Sequence, residues 1–215
     1  MARPIIIAHH LVWTAYGWWL PNDPRGSNSQ RIRSDIISAL GQLHEGRKKL
    51  QPASAEVRSF YGSAATRLKH ELRSFDEPQR RTIGKTFAEV IADRQYMCYA
   101  CAIMPDHVHV LIRKHRDNAE QMIEALQSAS RLRLRETLPD SAGHPIWGGP
   151  GWKVFLDHPE EVRRTIGYIE NNPLPLGLPH QRWPFVRDYD GWPLHPGHSP
   201  NSPYARRLRA AGRYP

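Results

Sequence analysis

The chain has 215 residues, 30 Lys+Arg against 21 Asp+Glu, a formal net charge of +9 and 40% hydrophobic residues, with a sequence pI near 9.9. That length suits one domain with a real core, with room for an insertion and a tail, and the basic balance makes a polyanion the first partner to consider. The opening run Ile5-Ile6-Ile7-Ala8 is too short for a signal peptide and no later run approaches the roughly 20 apolar residues of a membrane span, so a soluble cytoplasmic protein without membrane attachment is expected.

Ile5 to Thr14 is rich in Ile, Val, Leu and Trp and ends at Tyr16-Gly17, which predicts a first strand. Leu20-Pro21-Asn22-Asp23-Pro24-Arg25-Gly26-Ser27 concentrates turn formers and predicts a surface loop near the substrate. A helical pattern is expected from Ser34 to about Asp93; Ile83, Phe87, Val90 and Ile91 fall on one face and predict a crossover helix. The apolar run 96–104, the tight connection Met104-Pro105-Asp106 and the run His107 to Ile112 read as a strand hairpin.

Asp117 to Leu138 carries an apolar stripe of Ile123, Leu126 and Leu134 and predicts a second helix ending before Pro139. Ile146-Trp147, a Gly-rich turn and Val154-Phe155-Leu156 predict a short last strand or hairpin. Asp157 with Glu160 resembles a capping box and, with Pro159, predicts a third helix to Asn172. The order β-α-β-β-α-β plus a helix matches an α+β, ferredoxin-like split βαβ domain on an antiparallel sheet, with an extra C-terminal helix. Beyond Pro173 the chain is rich in Pro, Gly, Trp and Arg and is expected to form a poorly regular tail over 176–215.

Cys98 and Cys101 form a C-x-x-C, but they lie inside an apolar strand and lack a second pair, so two small core residues are expected rather than a zinc or redox site. The chemistry resides in the next strand. His107 and His109 are two apart, which sends both imidazoles to one face and Val108, Val110 and Ile112 to the other. By itself an H-x-H pair more often packs or hydrogen-bonds in a strand than it binds metal. In the helix at 159–172, Val162, Ile166 and Ile169 form the apolar face; Tyr168 falls off that face, with Asn172 one turn later on the same side. Two imidazoles, an amide oxygen and a phenol are an inventory for phosphodiester transfer: a divalent cation polarises the phosphate and the tyrosine attacks it. These ligands accept Mg²⁺, Mn²⁺ or Zn²⁺, with Mg²⁺ or Mn²⁺ preferred for the chemistry.

The string Met104-Pro105-Asp106-His107-Val108-His109-Val110-Leu111-Ile112, with Tyr168-Ile169-Glu170-Asn171-Asn172-Pro173, resembles the IS200-like single-tyrosine HUH transposases, nearest to REP-associated tyrosine transposases. His10-Leu11-Val12-Trp13 and Trp19-Leu20-Pro21-Asn22-Asp23-Pro24-Arg25-Gly26 also resemble family segments. The resemblance implies a transposase domain over 1–175, with a helical insertion at about 30–95. It implies metal-dependent cleavage and rejoining of single-stranded or hairpin DNA through a 5′-phosphotyrosine, with Tyr168 as nucleophile and His107, His109 and Asn172 as metal ligands. A nucleoid-associated protein is expected, as a homodimer or a monomer.

Arg131, Arg133, Arg135 and the Arg206–Arg209 cluster are candidates to neutralise phosphates, and Trp18, Trp19, Trp147 and Trp152 to stack on bases; a solvated basic face and core tryptophans are the alternatives. Histidine-triad hydrolases share the string His-Val-His-Val-Leu-Ile but need a third histidine where this chain has Leu111. The stronger alternative is a domesticated transposase that binds DNA hairpins without cutting.

Overall fold

The computed structural model describes residues 6–27, 29–32, 34–46, 49–138, 143–192 and 203–212. Strand β1 (Ala8–Thr14) is followed by three helices, α1 (Asp35–Ser38), α2 (Ser54–Ala65) and α3 (Glu77–Arg94). The hairpin β2 (Cys98–Ile103) and β3 (His107–Arg113) leads to α4 (Ala119–Thr137), β4 (Trp152–Leu156), α5 (Pro159–Asn171), a 3-10 turn at Leu174–Leu176 and α6 (Pro203–Ala210). The strand order is β2-β3-β1-β4, with every neighbouring pair antiparallel. Each crossover helix therefore joins two parallel strands separated by a strand of the other half, which is the expected ferredoxin-like split βαβ plan.

Alternation along the strands builds two cores. Leu11, Trp13, Val108, Val110 and Ile112 face α3 and α4, joining Ile83, Phe87, Met122, Ile123 and Leu126. Ala8, Leu111 and Leu156 face the other way, toward Val162 and Ile169 of α5. Both crossover helices start on capping boxes, Asp76 with Gln79 and Asn118 with Gln121, and α3 stops where Gln95 turns left-handed at φ 57°.

The structure corrects several expectations. The pattern read as helical over 34–93 is three helices; Pro52 precedes α2, and irregular chain separates α2 from α3. The loop expected at the surface is partly core: Asn22, Asp23 and Ser27 are buried. Asp23 tolerates burial because Arg25 grips both its oxygens and the Tyr61 hydroxyl of α2 donates to it. The cap of α5 is His158, whose ring accepts from the Glu160 backbone N–H, while the Asp157 backbone N–H donates to the Glu161 carboxylate. Of the short strand or hairpin expected over 146–156 the structure has the strand, β4: Trp147 bridges Ala15 at the end of β1, and after the glycine turn β4 pairs with β1.

The expected tail is packed structure as far as residue 192. Gln181 receives the Ile103 N–H and donates to the Ile103 carbonyl, both at 2.8 Å, and Arg187 donates its N–H to the Cys98 carbonyl. These contacts cover both ends of the β2 edge, which is otherwise a template for unwanted strand pairing. Phe185 enters the core on the α3 side and Trp192 the core on the α5 side, so the segment crosses from one face of the sheet to the other. Further on, α6 is helical where no periodicity was expected, and Arg206, Arg207 and Arg209 on it are exposed. No helix among the described residues is long and apolar enough to cross a membrane.

Gly84 permits the docking of this segment. A Cβ there would lie 2.1 Å from the Trp183 ring. Alanine at an ordinary helical site gains about 1 kcal/mol over glycine, but here it must displace an indole, at about 1–3 kcal/mol. Gly84→Ala should lower the urea midpoint, whereas Gly62→Ala in α2, where a Cβ meets nothing within 4 Å, should leave it unchanged or raise it. Equal effects would show that Trp183 is not held against α3.

His9 faces the α4 side of the sheet beside Phe155, buried, and neither ring nitrogen has a partner. Burial, helped by Lys114 and opposed by Glu120, brings its pKa down to about 4. Above the usual histidine value of about 6.5 both folded and unfolded forms are neutral, so the shift contributes nothing there. As pH falls from about 6.5 to about 4 the unfolded chain takes up a proton that folded His9 refuses, and up to about 3 kcal/mol of stability is lost. Buried His10 and His109, also lowered, add to the loss in this window, so urea denaturation of the metal-free protein should show at least that loss and His9→Leu should make its pH dependence shallower; an unchanged slope would assign the acid lability elsewhere.

Candidate active site

Strand β3 turns His107 and His109 onto the α5 face, as the spacing predicts, with ring centroids 4.9 Å apart and planes nearly perpendicular. Each ring is held from behind through Nδ1. His107 Nδ1 is 2.7 Å from Asp106 Oδ1, and His109 Nδ1 is 2.9 Å from His10 Nε2 on the neighbouring strand β1. The front nitrogens converge. His107 Nε2 is 3.3 Å from Asn172 Oδ1, and Asn172 Nδ2 donates to His109 Nε2 at 3.3 Å.

Helix α5 delivers Asn172 and Tyr168 together. Val162 and Ile169 anchor it to the sheet, Asn172 closes its C-terminus still in helical conformation, and Pro173 ends the run. One turn before Asn172, Tyr168 stands 47% exposed. Its ring packs edge-on at 5.5 Å from His109 and 6.1 Å from His10. A half-exposed phenol thus borders the donor cluster.

Burial holds the pKa of His109 well below the ordinary histidine value, with His107 and His10 adding to the effect, and burial takes His10 down to about 4. Both rings are therefore neutral near pH 7, the form a metal ion needs. Burial works to raise the Asp106 pKa, but the hydrogen bond and proximity of His107, with Arg25 nearby, outweigh it and keep the carboxylate ionised. An ionised Asp106 accepts from His107 Nδ1–H and holds the ring with Nε2 turned toward Asn172 Oδ1.

Among the described residues, no group of three His, Cys, Asp or Glu side chains is arranged to hold a metal. The donor set here is two imidazoles and an amide oxygen. The 3.3 Å between Asn172 Oδ1 and His107 Nε2 is near the roughly 3 Å between adjacent ligands in a shell with bonds of about 2.1 Å. The residues fit a small divalent cation with positions left open.

Other nominated residues lie elsewhere. Arg131, Arg133 and Arg135 are on α4, behind the sheet from the histidines; Arg131 contacts Ser128 and Glu124, and Arg133 pairs with Glu89 and Glu136. The tryptophans divide. Trp147 is core and donates to the Gln127 carbonyl, and Trp18 is half-buried and donates to the Arg73 carbonyl. Trp19 and Trp152 are exposed, and the Arg25 guanidinium covers Trp19 at 3.9 Å. Cys98 and Cys101 are buried free thiols, Cys98 pushed up to about 12 by burial, consistent with small core residues. His10 and Asp106 went unnominated on sequence grounds. Asp106 adjoins the H-x-H and was legible as an orienting group, but His10 is 99 residues from His109 and only the β1–β3 pairing brings them together.

Among solved structures, the chain is similar to a REP-associated tyrosine transposase bound to a REP hairpin, at 14% identity and a TM-score of 0.44 over 100% of this chain and 87% of that one. It is also similar to a protein of Deinococcus radiodurans R1 solved as a candidate transposase, at 14% identity and a TM-score of 0.38 over 80% of this chain and 94% of that one. No curated protein matches it. The family model "Transposase IS200 like" matches residues 59–172, which is more than half of the chain and includes His107, His109, Tyr168 and Asn172. The chain belongs to the IS200-like transposase family.

Proposed function

We propose that this transposase-family protein is a metal-dependent endonuclease and strand-transferase acting on single-stranded DNA at or near hairpins, of the REP-associated kind its motifs resemble. The observation that carries the reading is the exposed Tyr168 ring packed against His109, beside the cluster of His107, His109 and Asn172. A family member with this cluster has what tyrosine transesterification needs within one side-chain length.

His107, His109 and Asn172 are the residues to hold Mg²⁺ or Mn²⁺, which when bound would polarise a non-bridging phosphate oxygen and favour the charge of the transition state. Tyr168 Oη attacks phosphorus, losing its proton to solvent. The bond to the 3′ oxygen breaks, and that oxygen leaves as a 3′-OH after taking up a proton. The 5′ phosphate remains on Tyr168, and attack by another 3′-OH reverses the step and joins strands. Asp106 keeps His107 in place throughout. Exposed Trp152, on the His10 side of β4, is positioned to stack on an unpaired base.

Labelled hairpin oligonucleotides from the flanks of the protein's own gene, incubated with the protein and Mg²⁺ or Mn²⁺, should yield a slow-migrating adduct on a denaturing gel. Tyr168→Phe should abolish the adduct while keeping DNA affinity within about threefold, because phosphate contacts come largely from Arg and Lys. Gel-shift binding with no adduct under either metal would replace this reading with a hairpin-binding protein that does not cut.

His107→Ala combined with His109→Ala should lower the cleavage rate by at least about 100-fold with a much smaller change in DNA affinity. Equal loss of cleavage and of binding would assign the histidines to folding or DNA contact.

A further inference from the structure

We propose that His10 is a positioning residue that fixes the tautomer of His109, accepting its Nδ1–H so that the Nε2 lone pair points at Asn172 and the cation position. Two contacts carry this, the second read through the first. On one side of the His109 ring, Asn172 Nδ2 can only donate, so His109 Nε2, at 3.3 Å, carries no proton. A neutral imidazole has one N–H, so the proton sits on Nδ1. On the other side, His10 Nε2 lies 2.9 Å from that Nδ1, and it must be the acceptor. His10 then carries its own proton on Nδ1.

The surroundings leave His109 few other choices. His109 is 5% exposed and His10 9%, and the two rings stack with centroids 5.1 Å apart and planes 27° from parallel. No carboxylate is recorded in hydrogen-bond contact with either ring among the described residues. His107 differs: its Nδ1 meets the ionised Asp106. The two front imidazoles therefore have unlike supports, an anionic one for His107 and a neutral one for His109. A neutral acceptor fixes the ring without adding a second negative charge where a phosphate must approach. The β-sheet makes the arrangement rigid, because Val12 is directly opposite His109 and His10 reaches it diagonally across paired backbone.

The link to metal rests on the proposed cation site; the tautomer does not, and this separates the tests. In metal-free protein with ¹⁵N-labelled histidine at pH 7.5, long-range ¹H–¹⁵N correlation should show His10 and His109 both protonated on Nδ1 and bare on Nε2. His10→Leu removes the acceptor, and His109 should shift toward the Nε2–H form. Mn²⁺ affinity, by calorimetry, should fall by about 10- to 100-fold. His10→Gln, whose amide oxygen reaches where Nε2 was, should restore the Nδ1–H form and bring the affinity back to within a few fold of native, which a purely space-filling role would not require. A native His109 protonated on Nε2 overturns the proposal even if His10→Leu fails to fold. So does a folded His10→Leu with unchanged tautomer and Mn²⁺ affinity. Correct tautomers and metal binding without any DNA adduct would instead overturn the strand-transfer reading and leave this inference standing.

Discussion

The candidate site depends on the antiparallel pairing of β1 with β3. Its register sets Val12 against His109 and Leu11 against Val110, so one face of the pair is Leu, Trp and Val while the other carries His10, His107 and His109. The period of two in a strand makes this an all-or-none assignment: a slip of one residue would send the histidines into the α3–α4 core and expose the valines. Burying Leu11, Trp13, Val108 and Val110 is worth several kcal/mol. The hydrophobic core therefore also sets the orientation of the polar site.

A second constraint comes from α5. The apolar side of this helix seats Val162 and Ile169 on the sheet, and 3.6-residue periodicity then decides which side chains border the histidines. Tyr168 and Asn172, one turn apart, share a side, so the phenol and the amide arrive as a unit. Neither can be repositioned without tilting the helix. The exposure of Tyr168 contrasts with the burial of His10 and His109: the two imidazoles are dry and the phenol beside them is wet.

The segment 178–192 and the insertion between β1 and α3 show how the same small sheet supports a longer chain. Gln181 and Arg187 complete the hydrogen bonds at the β2 edge, while Trp183 uses the missing side chain of Gly84 to lie against α3. At the end of β1, Asp23, Arg25 and Tyr61 tie the Leu20–Ser27 loop to α2, and Ala15 donates to the Asp106 carbonyl. Loop, insertion and histidine strand are thus one connected piece, and Arg25 contributes to the charge state of Asp106.

The sequence by itself determined the strand-and-helix order, the side of β3 that carries the histidines, the partnership of Tyr168 with Asn172 and the burial of the two cysteines. Each follows from a local period or a neighbour within one turn. Tertiary structure alone decided the support of His109 by His10, the burial of Asp23, the division of 34–93 into three helices and the capture of the presumed tail. For three of these the partner is distant in sequence: His10 and His109 are 99 residues apart, Tyr61 and Asp23 are 38 apart, and Ile103 and Gln181 are 78 apart. The apparent disorder of the Pro-rich tail was a property of its composition; its order comes from an open sheet edge and a glycine on another helix. Arg131, Arg133 and Arg135 show the converse, since a basic run reads alike on either face of a sheet, and only the packing of α4 places it behind the site.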